Sequence, residues 1–396
     1  MKRQLLLTLF FSLILKLAAA QDSTLITIDS DSVQVKEPKA SKLVNLDILF
    51  RAALNANNFG QDDSKLNANL DDARIMVSGD YNDQFSYRVR FRLNRSFTPT
   101  SLDNASAALD FAFLKYKFGK ENKWAVTLGK QSAMVGSFEF QNNPIYELRF
   151  SDYVGNILNL FVVGGMLSYD INQNHSINVQ LYNTINHSFD RLLSDNGYTA
   201  GELEASKTPM GGYFTWMGSF LDKRIDTKWS YNISQFAKDR TNHAVSLANK
   251  FKTARQMIYL DLQYSYYAVD HIMLGSSVIN DFYGRTGAER TLSKDITYKS
   301  AILRYDQFIT DKWEIALKGA FETVGSKAAA DGGLGADFRK NYTYFAALQN
   351  KPLKNRDLRF YLGYMGNTVT YNKNVELDSK QFNRIALGAY FTIPVL

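Results

Sequence analysis

Through most of its length this chain alternates apolar and polar residues with a period of two. In the first clear run, Val44, Leu46, Ile48, Phe50, Ala52 and Leu54 fall on one side, and Asn45, Asp47, Arg51 and Asn55 on the other. Successive side chains of a strand point to opposite faces, so such a run has one apolar and one wet face. The pattern predicts sixteen strands, near 44–55, 68–81, 85–95, 108–118, 123–131, 157–171, 175–185, 210–220, 225–236, 255–267, 272–282, 297–308, 313–323, 341–350, 357–370 and 381–393. Most match or exceed the ~9–11 residues that a tilted strand needs to cross a bilayer.

The predicted connections alternate short and long. The short ones are Asn82-Asp83-Gln84, Gly119 to Asn122, Asn172 to Asn174, Leu221 to Arg224, Ala268 to His271, Ile309 to Lys312 and Lys351 to Arg356. Short turns at one end and long loops at the other mark outer-membrane barrels, and a soluble sandwich has no reason to sort its connections this way. Tyr81, Phe85, Phe118, Trp124, Phe220 and Trp313 flank short turns on the apolar face, where an aromatic girdle meets the lipid headgroups. The expectation is all-β: a transmembrane antiparallel β-barrel of about 16 strands, with short periplasmic turns, long extracellular loops and a water-filled lumen.

The ends of the chain fix the expected organisation. Lys2 and Arg3 precede an apolar run from Leu5 to Leu17, and Ala18-Ala19-Ala20 follows, which predicts a signal peptide over 1–21. Residues 22–41 read as a short N-terminal periplasmic segment, too brief for a plug, and 42–396 as the barrel. The most apolar later stretch, Ile157 to Leu167, is broken by Asn159 and Gly164-Gly165 and falls short of the ~20 residues of a membrane helix. The expected location is therefore the outer membrane of a Gram-negative cell.

Composition then removes function classes. There is no cysteine, which excludes a disulfide framework, a thiol nucleophile and a Cys-based zinc site. His175 and His271 read as short-turn residues, and His187 and His243 as members of long connections, so no nucleophile–base pair and no metal set is expected. Neither an enzyme nor a cofactor is called for. The formal charge of +7, less Lys2, Arg3 and Lys16, leaves +4 on the exported chain. These charges alternate singly with apolar residues, which suits a pore lining and not a nucleic-acid surface.

Candidate chemistry concentrates in two places. On the third predicted strand Arg88, Arg90 and Arg92 occupy consecutive inward positions, ~7 Å apart at ~3.4 Å per residue. A tight turn sets Arg74 opposite Arg92, and Lys115 and Lys117 share inward parity on the next strand, with Lys115 beside Arg88. Like charges facing one another destabilise a sheet, whereas basic rings favour anions in pores and Arg grips phosphate with two N–H groups. Inward Asp80, Asp226, Asp261, Asp306, Glu314 and Glu322 stand as an acidic counterpart. The second place is the connection 132–156, the third long one, which is expected to fold inward as a constriction. It carries Glu139, Glu147, Arg149 and Asp152, with Pro144 suiting irregular backbone.

The stretch WAVTLGKQSAMVGSFEFQNNPIYELRFSDYVGN, with ALDFAFLKYKFGKENK before it, resembles the phosphate-selective porin O and P family, particularly its relatives in Bacteroidetes. Gly129-Lys130-Gln131 ends a strand there, and Gly136 to Phe140 opens the long loop. The resemblance implies a sixteen-stranded barrel, usually a homotrimer, with an inward third loop and basic lumen residues, carried here onto Arg88, Arg90, Arg92 and Lys130. The expected activity is passive diffusion of small hydrophilic solutes, with anions and phosphate preferred. Lipid and solutes are the expected partners, with no nucleic acid among them. A gated or partner-dependent uptake channel, or a structural barrel with a blocked lumen, is the alternative.

Overall fold

Sixteen antiparallel strands close into a barrel in a computed structural model that describes residues 43–395 apart from 62, 143 and 355. The expected leader (1–21) and the segment 22–41 lie outside the described residues. In order the strands are β1 (Asn45–Asn57), β2 (Lys65–Asp80), β3 (Phe85–Arg92), β4 (Leu109–Phe118), β5 (Trp124–Ser132), β6 (Phe161–Asp170), β7 (His175–Asn183) and β8 (Met210–Phe220). The second half holds β9 (Ile225–Gln235), β10 (Thr241–Lys252), β11 (Gln256–Val269), β12 (Lys294–Phe308), β13 (Trp313–Ser326), β14 (Asp337–Asn350), β15 (Asp357–Tyr371) and β16 (Lys380–Pro394). Each strand pairs with its sequence neighbours, and β1 closes the ring on β16 from Asp47↔Pro394 to Asn57↔Arg384. Closure leaves no open sheet edge, which lipid would not tolerate.

Burial runs inside out relative to a soluble protein. Leu114, Leu128, Leu181 and Leu387, on the outward face, are 58–64% exposed, while Gln180, Thr215 and Asp261 on the inward face are fully buried. The outward face is dressed for lipid and its polar partner faces the lumen. The girdle forms next to the short turns, where Phe85 stacks on Tyr116 at 4.6 Å and Trp124 lies 4.4 Å from Tyr169.

Between residues 236 and 293 the structure corrects the sequence reading. The segment read as a long connection contains β10, and Thr253–Arg255 is the short turn in place of Ala268–His271. The strand expected over 272–282 is instead a helix, Leu274–Phe282. Its Leu274, Val278, Ile279 and Phe282 follow helical spacing and pack onto a lumen cluster, which overrides an apparent two-residue period. β10 escaped notice because its inward Ala244, Ser246 and Ala248 are small and its outward His243 and Asn249 are polar. One missed strand and one false strand cancel in the total of sixteen. The long–short alternation also has an exception, since the outer connection from β9 to β10 spans only 236–240. His243 thus sits on a strand, where Tyr231 OH lies 2.7 Å from its Nδ1, and His271 belongs to a long connection.

Two β-bulges alter what faces the lumen. Between Arg51↔Asp72 and Ala52↔Leu70 the register skips Asp71, and between Arg90↔Phe111 and Phe91↔Leu109 it skips Asp110. A bulge sets two residues against one and re-aims the extra side chain.

The closure predicts a specific cross-link. Ala52→Cys with Ala389→Cys, directly opposed on β1 and β16, should oxidise to a disulfide, because opposed Cα atoms lie ~4.5–5.5 Å apart and a disulfide spans that distance. Ala52→Cys with Ile385→Cys is out of register and should remain reduced on a non-reducing gel. Equal yields from the two pairs would break the assigned seam.

Candidate functional site

The basic residues anticipated on β2 and β3 do meet, but not as a bare row of cations. Arg74 stands opposite Arg92. Asp110, turned inward by its bulge, is fully buried and accepts from Arg74 Nη1 at 2.8 Å, Arg90 Nε at 2.9 Å and Arg92 Nε at 2.6 Å. Asp72 takes Arg74 through two bonds of 2.7 Å. Arg90 also lies 4.0 Å above the ring of Phe111. Simple alternation points Asp110 at lipid, so sequence reasoning missed it; the only signal was an acid breaking an apolar parity between Leu109 and Phe111.

Below this knot the wall changes character. Arg88, Lys115 and Lys117 are half-buried, and among the described residues no carboxylate forms an ion pair with any of them. Arg88 faces Ser78 on β2 and Phe113 on β4, Lys115 faces Ser86 and Thr127, and Lys117 faces Ala125. Lys115 therefore falls diagonally beside Arg88, two positions from direct pairing. Mostly small neighbours leave these three cations with room in front of them. Asp47 and Asp80 act on Arg88 only through space.

The connection from β5 to β6, residues 133–160, is bonded to side chains of the lumen wall. Met134 N and Gly136 N are held by Gln180 Oε1 and Ser230 Oγ, both at 2.8 Å. A Cβ on Gly136 would stand 2.5 Å from Lys228 O and 2.7 Å from Ser246 O, so only glycine lets the loop lie this close to β9 and β10. Asp261 on β11 then caps a short helical turn, accepting from Ser137 Oγ at 2.8 Å and Glu139 N at 3.0 Å. Further on, Glu322 on β13 takes Asp152 N and Tyr153 N, each at 2.7 Å.

The centre of that anchorage is ionic. Lys318 on β13 is paired with Glu139 and, at 3.0 Å, with Glu147, and both carboxylates are buried. Arg304 on β12 adds a 2.6 Å bond to Glu147 and a 2.8 Å bond to Asp306. Tyr259 OH and Asn142 Nδ2 complete the shell of Glu147. Burial would raise the Glu147 carboxyl, but Arg304 and then Lys318 outweigh it and hold it well below the usual carboxylate range. Arg51 on β1 donates to the loop carbonyls of Ile145 and Glu147 at 3.1 and 2.9 Å.

These contacts revise the role expected for the loop residues. Glu139 and Glu147 are anchors against the wall and do not offer free charge to the channel. Asp152 is joined to Arg339 at 2.6 Å. Arg149 is half-buried, 2.5 Å from Asn367 Oδ1 and over the ring of Phe382. Lys130, grouped with the loop from sequence, lies on β5, buried, with Nζ donating to Ser106 O at 3.1 Å. The acids expected as a counter-wall are likewise engaged: Asp226 with Lys252 at 2.8 Å, Glu314 with Arg359 at 2.5 Å, and Asp261, Asp306 and Glu322 as described. Asp80 is exposed at the end of β2.

Lys318→Met would leave Glu139 without the only cation paired with it among the described residues. Breaking a buried pair in this way costs about 3–5 kcal/mol. The folded, heat-modifiable form of the variant should therefore convert at lower temperature than the parent, while Lys299→Met, an exposed rim residue paired with Asp337, should change little. Equal conversion temperatures for Lys318→Met and the parent would remove the clamp.

The outline of the barrel recurs in solved structures. The outer-membrane channel DcaP of Acinetobacter baumannii superposes with a TM-score of 0.61 at 12% identity, covering 88% of this chain and 97% of that one. An anion-selective porin from Comamonas acidovorans gives 0.54 at 11%, covering 88% and 99%. The trimer form of OmpT from Vibrio cholerae gives 0.51 at 12%, covering 88% and 99%. At such identities the likeness is one of fold. The sequence matches none of the curated proteins. The family model for phosphate-selective porin O and P, however, matches residues 46–393. A match that begins one residue into β1 and ends one residue before the end of β16 takes in the whole barrel, and the chain therefore belongs to the phosphate-selective porin O and P family, as a passive channel of the outer membrane.

Proposed function

We propose that this porin passes small hydrophilic anions along the wall of β2 to β5, with Arg88, Lys115 and Lys117 as the groups that favour them. The observation that carries this reading is that, among the described residues, these three cations form no ion pair while the buried acids of the lumen are engaged elsewhere. Asp47 and Asp80 act on Arg88, and Asp170 on Lys115, only through space. An anion ~4 Å from one such cation gains ~1 kcal/mol even in a water-like dielectric, roughly a fivefold enrichment. Rings of Arg and Lys select anions in pores by this means. Phosphate suits the site, since an Arg fork and two flexible ammonium groups supply donors to several of its oxygens. The anion-selective porin of the same fold supports the charge sign.

In this reading the loop 133–160 narrows the channel by occupying the opposite side of the lumen, and three copies assemble as a homotrimer, as the trimer form of OmpT does on this fold. A second reading has one observation in its favour. The third loop, the helix Leu274–Phe282, and Leu334 and Val375 of later outer loops share a single apolar cluster, which suits a channel that a partner must open.

Planar-bilayer recording separates these readings. The parent should open stably, with reversal potentials in a salt gradient showing anion preference in chloride and in phosphate. Arg88→Ala with Lys115→Ala and Lys117→Ala should lower the anion-to-cation permeability ratio about fivefold or more and leave the fold intact. Unchanged selectivity in that variant would discard the trio, and a folded, inserted barrel without openings would favour the partner-gated channel.

A further inference from the structure

Away from the basic wall, a cavity of about 310 Å³ opens at the outer end of the barrel. It lies between the end of the third loop, the connection 184–209, the lumen faces of β7 to β11 and the start of the connection after β11. The volume is at the lower end of the range for small-molecule sites. Among the described residues that line it there is no lysine, arginine, aspartate or glutamate. Burial pushes His271, which also lines it, down to about 4, so that ring is neutral under ordinary conditions.

What the cavity presents instead is a set of amides with a defined polarity. Asn156 Nδ2 donates to Asp152 at 2.7 Å, Asn159 Nδ2 to Thr184 O at 3.3 Å and Asn186 Oδ1 at 3.0 Å, and Asn196 Nδ2 to Leu192 O at 2.8 Å. Asn232 Nδ2 donates to Tyr182 OH at 2.7 Å and Gly212 O at 3.0 Å. Asn159 and Asn232 have both N–H groups taken and Asn156 and Asn196 have one taken, so the carbonyl oxygens of these four are open to a ligand. Asn186, whose oxygen accepts from Asn159, turns the other way and offers its N–H side. Acceptors gathered without a cation repel anions, which are acceptors themselves, and receive donors. Beside them Tyr182 and Tyr213 stack at 5.2 Å and 15°, each with one ring face already covered. An acceptor edge beside an aromatic and aliphatic wall matches a molecule with hydroxyls on its rim and C–H groups on its face.

We propose that this cavity binds a neutral, hydroxyl-rich solute of about monosaccharide size, held through the amide oxygens of Asn156, Asn159, Asn196 and Asn232. The site is independent of the anion wall, and it gives the channel a capture point for uncharged solutes that the basic trio does not attract.

The test uses the full barrel in detergent, with D-glucose titrated by calorimetry and sodium phosphate titrated in parallel. Glucose should bind, phosphate should not compete, and Asn156→Ala with Asn196→Ala, both at exposed positions, should weaken glucose about tenfold or more. Arg88→Ala with Lys115→Ala and Lys117→Ala should leave glucose affinity unchanged. Any of three results would overturn the site: no glucose binding by protein that conducts ions in a bilayer, displacement of glucose by phosphate, or full affinity in the double asparagine variant. Loss of anion selectivity in the trio variant with glucose binding retained would separate this site from the anion path.

Discussion

Everything in this molecule depends on the pairing of β1 with β16. Lipid offers no hydrogen bonds, so a sheet can persist there only if its two edge strands meet. Residues near the start of the described chain must therefore find partners more than three hundred positions away. Once the ring is closed, the two-residue period assigns every strand residue to lipid or lumen. The interior can then hold charge densely, because most of its acids and bases are fixed on a rigid wall and meet partners from a neighbouring strand or an entering loop.

The lumen divides electrostatically along that wall. On the β11 to β15 side, acids and bases are matched and buried: Glu139, Glu147 and Asp306 surround Lys318 and Arg304, and Glu314 joins Arg359. These groups hold the third loop in place and leave little field for a passing solute. On the β2 to β4 side the three upper arginines share two carboxylates, Asp110 and Asp72, and among the described residues the lower trio forms no ion pair. In the proposed reading selectivity comes from a local excess of charge and not from the count of basic residues, since Arg74, Arg90 and Arg92 share carboxylates that Arg88 lacks.

The barrel was legible in the sequence because lipid enforces strict alternation; fifteen of the sixteen strands fall on predicted segments. The failure at 241–252 has a physical cause: small inward residues and polar outward ones flatten the pattern that identifies a strand. The Arg88–Arg90–Arg92 row was legible for the same reason, as alternation alone brings it to one face. Its neutralising Asp110 was not, since a bulge suspends the rule by which the row was found. The roles of Glu139 and Glu147 depend on Lys318 and Arg304, which lie more than a hundred and fifty residues away. No local pattern announces such a partner.

The path of the third loop bears on how the barrel reaches its final form. Ile145 and Leu148 pack in one cluster with Leu49 and Ala53 of β1 and with Ala386 and Tyr390 of β16. Arg51 of β1 also grips the loop backbone. The loop therefore has no complete docking surface until the first and last strands have joined, and once docked it braces the junction from within. Loop docking acts as a latch thrown after closure. Contacts between distant parts of the chain form slowly, so the latch belongs to the last stage of assembly, and the seam, otherwise the natural place for the cylinder to reopen, is locked by a segment from the middle of the chain.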